Sequence, residues 1–162
     1  MPRLKASPKE ILQYLASLET APHRIAAATA GIDEAKLRTP DGRNWSVVDI
    51  LAHLRACDEL WTHSIYAMLT EDNPVLPLID ERRWTKVTGY RLLDFKSSFQ
   101  AFTLKRTELL RVLHALPDDS WARTAVIEGR THSVFSQTRR MALHEVEHCE
   151  QIELLFAANK LI

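Results

Sequence analysis

SVVDILAHLRACDELWTHSIYAML, residues 46–69, opens on a serine followed three positions later by an aspartate. That pairing is a helix start, because a serine hydroxyl accepts from an amide N–H that has no partner in the first helical turn. Val47, Ile50, Leu51, Leu54, Cys57, Trp61, Ile65 and Met68 then recur at helical spacing. One face of a helix running to about residue 70 is therefore apolar.

The same reading extends outward. Upstream, Asp41-Gly42-Arg43-Asn44 has the composition of a turn. Ser7-Pro8-Lys9-Glu10 is a capping box with proline at the first helical position, and Ile11, Leu12, Leu15 and Leu18 make a stripe behind it. This helix is expected to kink or restart at Pro22 and to end at Gly31, a natural C-terminal cap. Downstream, residues 71–90 hold Pro74, Pro77 and Gly89 and read as a long connection. Leu92, Phe95, Phe99, Phe102, Leu109, Leu110 and Leu113 mark a third helix over about 91–115, stopped by Leu116-Pro117-Asp118-Asp119. Residues 125–129 read as a short extended excursion. A fourth helix is predicted from Ser133 to about Asn159. Four helices with one long crossover between the second and third define an all-α four-helix bundle, a single domain spanning residues 1–162.

Composition narrows the function classes. Lys+Arg and Asp+Glu both number 21, so no charge excess points to nucleic acid or an anionic membrane. No apolar run approaches the roughly 18 residues needed to span a bilayer, and the first ten residues lack the apolar centre of a signal peptide. Two cysteines, Cys57 and Cys149, do not make a disulfide framework. A cytoplasmic protein acting on a small molecule is expected.

His144-Glu145-Val146-Glu147-His148 matches the HExxH pattern of zinc proteases. His144 and His148 lie about 40° apart on the last helix. They share a face with Met141, Ile152 and Leu155, with Gln137 and Gln151 close by. Two imidazoles facing one buried spot call for a shared partner, and a metal ion is the usual one; two core histidines satisfied by hydrogen bonds are the plainer alternative. The protease reading lacks a downstream third ligand: 14 residues follow His148, and both Glu150 and Glu153 are turned away from the pair. The third ligand is therefore sought upstream. His23, His114 and His132 sit near helix breaks or ends, and His63 faces away from the second helix's stripe. His53 sits at the edge of that stripe, beside Ile50, Ala56 and Cys57, so a site of His53, His144 and His148 is expected.

Together, Trp45-Ser46…His53-Leu54, WTKVTGY at 84–90, LPDDSW at 116–121 and HEVEHCEQI at 144–152 resemble the DinB-like (DinB/YfiT-type) superfamily. The likeness runs in order from TAPHRIAAATAG at 20–31 to the last helix, and the ordered set carries it rather than any one motif. It implies a four-helix bundle with a divalent metal on one histidine of the second helix and an HxxxH pair of the last, here His53, His144 and His148. It implies frequent homodimers, and relatives that include transferases and isomerases using a low-molecular-weight thiol. The expectation is thus a metal-dependent transferase or hydrolase holding Zn²⁺ or Ni²⁺, with a thiol as co-substrate in the transferase case. A non-catalytic metal-bound bundle serving as a binding or stress-response module is the alternative.

Around that centre, Glu145 is a candidate to orient a ligand or shuttle a proton, set against a solvated or helix-pairing role. Cys57, one turn beyond His53, is a candidate ligand or a small core residue. Arg139 and Arg140 are read as a solvated face with capacity for an anionic substrate. Trp45, Trp61, Trp84 and Trp121 are read as core anchors, with Trp84 in the crossover also able to line a pocket.

Overall fold

The computed structural model describes residues 6–42 and 44–157. Four long helices carry it: α1 (Pro8–Thr29), α3 (Val47–Thr70), α5 (Phe95–His114) and α6 (Val134–Ala157), with short helices α2 (Glu34–Leu37) and α4 (Glu81–Thr88) between them. Three short strands, β1 (Val75–Leu76), β2 (Thr124–Ile127) and β3 (Arg130–Ser133), complete it. Helix α6 packs chiefly on α1 and α3, and α5 packs on the same two helices. The four-helix bundle with a long crossover is as expected. The expected end of the last helix, near Asn159, lies outside the described residues.

The caps form as the sequence dictates. Ser46 Oγ accepts from Asp49 N–H at 3.1 Å, while Asp49 Oδ2 accepts from Ser46 N–H at 3.1 Å. Ser7 and Glu10 make the same reciprocal pair at the head of α1. Helix α1 runs through Pro22 as one element instead of restarting. Pro22 itself is buried, next to Ala21 and near Ile25 in the core, so tertiary packing holds the turn where one backbone hydrogen bond is missing.

The crossover is more ordered than its composition suggests. Asp80 Oδ1 accepts from the amides of Arg82 and Arg83 at 2.8 and 2.9 Å, starting α4, and Gly89 at φ 66° ends it in the left-handed conformation. A 3-10 turn over Tyr90–Leu92 follows, and Asp94 caps α5 through Ser97 N–H, which moves that helix's start to Phe95. The excursion at 125–129 is one arm of a hairpin. β2 and β3 pair antiparallel with Ile127 opposite Arg130, and Glu128 and Gly129 both have positive φ, as a two-residue primed turn requires. β1 joins β2 in parallel, so this small sheet ties the crossover to the segment that launches α6.

The core is split by charge. One apolar cluster takes Val47, Ile50 and Leu54 from α3, Phe102 from α5 and Ile152 from α6; the other takes Ile65, Leu109, Leu113 and Met141 from the same helices. Between them on all three helices lie Asp58, Arg106 and Glu145. Arg106, 1% exposed, donates from Nη1 to Glu145 Oε2 at 2.6 Å and from Nη2 to Asp58 Oδ1 at 2.5 Å, with a further contact from Nη2 to Glu145 Oε1. Buried charges persist only when paired and hydrogen-bonded, which this guanidinium does for both carboxylates.

Candidate metal centre

His53 comes from the second turn of α3 and His144 and His148 from successive turns of α6. His53 Nε2 lies 3.0 Å from His144 Nε2, and His148 Nε2 lies 3.2 Å from the same atom. One nitrogen from each of the three lies within 4.8 Å of the other two. Nitrogens bound at about 2.0–2.1 Å to one tetrahedral cation are spaced by roughly 3.3 Å, so the separations fit a shared ion. Two tryptophans hold the rings in place. Trp45 meets His53 edge-on at 5.1 Å and stacks on His148 at 6.2 Å, while Trp61 meets His144 edge-on at 4.9 Å.

The protonation states suit a donor set. Burial lowers the pKa of all three imidazoles, and their mutual repulsion adds to this for His53 and His144; His144 falls to about 3. Neutral rings offer lone pairs. His148 Nδ1 lies 2.9 Å from Gln151 Oε1, an acceptor that fixes the proton on Nδ1 and turns the Nε2 lone pair inward. His144 Nδ1 is buried without a hydrogen-bond partner among the described residues.

These shifts set a pH response for the metal-free protein. A histidine whose folded pKa lies below its unfolded value of 6.5 binds fewer protons folded than unfolded. Stability is then retained above pH 6.5 and lost as pH falls towards about 3. Thermal melts should drop steadily below pH 6.5, and a His144→Gln variant should show a shallower drop. An equal slope in both would show that His144 does not carry the effect.

The remaining candidates fall elsewhere. Glu145 does not face the imidazoles; it is 2% exposed and bound to Arg106 in the interior, neither solvated nor paired along its own helix. Burial pushes its carboxyl up to about 7 against the pull of Arg106. The glutamate of the HExxH pattern is thus committed to the bundle interior, not to the histidine cluster. Cys57 Sγ lies 3.6 Å from His53 Nε2 but does not belong to the mutually close donor set, and burial drives its thiol up to about 12. His23 and His63 are exposed, His114 pairs with Glu19 at 2.6 Å, and His132 is half-buried on β3. Arg140 lies over the Trp61 ring at 4.4 Å and Arg139 donates to Tyr14 Oη at 3.2 Å. Trp84 donates to Glu59 Oε2 at 3.0 Å and lines a small surface groove.

The sequence marks Trp84 of the crossover as able to line a pocket, but not the crossover residues that border His53. An open cleft of about 490 Å³ borders His53, and α4 and the following turn supply most of its wall. The Asp80 cap and Gly89 were the available local signals for α4.

Fold and donor cluster together define a class: a helical bundle with three histidines gathered between two of its long helices. The chain belongs to the DinB superfamily, whose sequence profile matches residues 17–152. It is 24% identical over 149 residues to a protein of Geobacillus thermodenitrificans, covering 89% of this chain and 83% of that one. It is 30% identical over 92 residues to a protein of Bacillus licheniformis, covering 56% of this chain and only about half, 52%, of that relative's length. Both relatives are named for an inferred metal-dependent hydrolase activity. Among solved structures, YfiT from Bacillus subtilis superposes with a TM-score of 0.86 at 19% identity, covering 99% of this chain and 93% of that one. YfiT is described as having an unusual four-helix bundle topology, and the likeness establishes the fold.

Proposed function

We propose that this chain is a metal-dependent hydrolase of a small molecule, holding one Zn²⁺ or Ni²⁺ on His53, His144 and His148. The observation that carries the reading is the convergence of three neutral Nε2 atoms beside an open cleft. Three imidazoles leave a coordination position free, the mark of a reactive site rather than a closed structural one. A divalent cation so held supplies a Lewis acid that acidifies water and polarises a scissile bond. The protein's own part is positioning. Gln151 fixes the His148 tautomer, Trp45 and Trp61 brace the rings, and the cleft admits substrate on the His53 side. Among the described residues no carboxylate joins the three imidazoles.

The names of the relatives favour hydrolysis. Thiol transfer is the second reading, since a cation held by His53, His144 and His148 would also be able to bind a thiolate. Protein reconstituted with zinc or nickel is expected to retain about one ion per chain by elemental analysis. It is then assayed on small esters and amides and, separately, with a low-molecular-weight thiol and an electrophile. Chelator-sensitive turnover of the first set supports a hydrolase, and of the second a transferase. Metal retention without any turnover would leave a binding module, and failure to retain metal would overturn the proposal.

A further inference from the structure

The cleft beside His53 has a pronounced chemical bias. Its wall consists of Trp45, His53, Arg82, Thr85, Lys86 and Arg91: three cations, one aromatic ring and no carboxylate. In a chain of zero net charge, such a grouping is a local choice.

The cations are placed at some cost. Arg82 and Lys86 are four residues apart on α4, so the two like charges repel on one helix face. Arg82 also stands in the first turn, at the positive end of the helix dipole, where a cation is disfavoured. Neither side chain has an ion-pair or hydrogen-bond partner among the described residues. Arg91 pairs with Asp49 at 3.2 Å, and its guanidinium lies 6.0 Å from the Trp45 ring. The amides at the head of α4 are already taken by Asp80, so the side chains carry the available positive charge.

The wall is also fixed in place. Glu59 on α3 accepts from Trp84 Nε1 at 3.0 Å and from Tyr90 Oη at 2.6 Å, tying the middle of α4 and the turn after it to the bundle. Arg38 donates to the carbonyls of Arg91 and Leu93 at 2.9 and 2.6 Å, holding the turn that carries Arg91. The backbone that carries these cations is thus fixed, so an anion has only their side chains to order on binding.

We propose that this cleft takes the anionic end of the substrate, a carboxylate or a phosphate, between Arg82, Lys86 and Arg91, with Trp45 covering the adjoining apolar part. The opposite end of the substrate is then directed at the position left free by the three histidines. A volume of about 490 Å³ is enough for a small organic anion. The orientation rests on the metal-site reading above; the anion site does not.

Calorimetric titration of the full chain with inorganic phosphate and, separately, with glutarate tests it, in metal-free and zinc-loaded forms. At low salt one probe or both should bind once per chain. An Arg82→Gln/Lys86→Gln double variant should weaken that binding on the order of 10-fold or more in both forms, while Lys105→Gln outside the cleft changes it less than about 2-fold. Circular dichroism of the double variant should match the wild type, since both side chains are exposed. Tighter phosphate binding would assign the site to phosphorylated substrates, and tighter glutarate binding to carboxylates. No saturable binding of either probe, or equal losses in the double variant and Lys105→Gln, would overturn the proposal. If zinc fails to load while the metal-free protein still binds the anion, the metal reading fails and the anion site stands.

Discussion

His144→Ala should abolish metal retention. Its Nε2 is the atom to which both other imidazoles are close, 3.0 Å from His53 and 3.2 Å from His148, so its loss removes the middle donor. Changes to outer-shell partners of metal ligands typically weaken affinity 10–100-fold, and loss of a ligand should exceed about 100-fold. An ion present at about 100 times its dissociation constant stabilises the folded state by about 2.7 kcal/mol, or roughly 5–10 °C in a domain of this size. Wild-type protein should therefore melt higher with zinc or nickel than without, and His144→Ala should show no such rise. His53→Ala and His148→Ala should behave alike, and His63→Ala should retain the wild-type response because His63 is exposed and outside the cluster. Unchanged metal occupancy in His53→Ala would show that the third ligand is misassigned.

Arg106→Ala should be the most destabilising single change in the bundle. It leaves Asp58 and Glu145 buried with no counter-charge, and opens a void where a fully buried side chain stood. Removing one member of a buried ion pair costs about 3–5 kcal/mol, enough to lower the melting temperature by roughly 10 °C or more. The triple change Asp58→Leu, Arg106→Met, Glu145→Leu should recover much of the loss, because apolar groups of similar volume avoid the unpaired charge. Denaturant unfolding of both variants measures this. A single variant within about 1 kcal/mol of wild type would mean that the three charges contribute little to the fold.

That charged layer explains why the HExxH pattern misleads. In a zinc protease the glutamate would work beside the metal. Here Glu145 lies about 100° around the helix from His144 and enters the interior, where it meets an arginine 39 residues earlier in the chain. Two adjacent residues thus serve different tasks, one in the donor cluster and the other in the bundle's polar layer.

The sequence by itself determined what depends on near neighbours. The cap of Ser46 and Asp49, the helical recurrence of apolar residues and the positions of turn residues are local properties, and they located all four long helices. The same periodicity put His144 and His148 on one inward face and preferred His53 to His63, because a helix has one core-facing stripe. Tertiary structure decided whatever needs distant partners. No local pattern marks Arg106 as buried, since its carboxylates come from two other helices. Nor does one show that α4 stands over His53, because that helix is held by Glu59, 25 and 31 residues before the groups it anchors. An eight-residue helix has too few internal hydrogen bonds to declare itself, and packing against α3 supplies the rest.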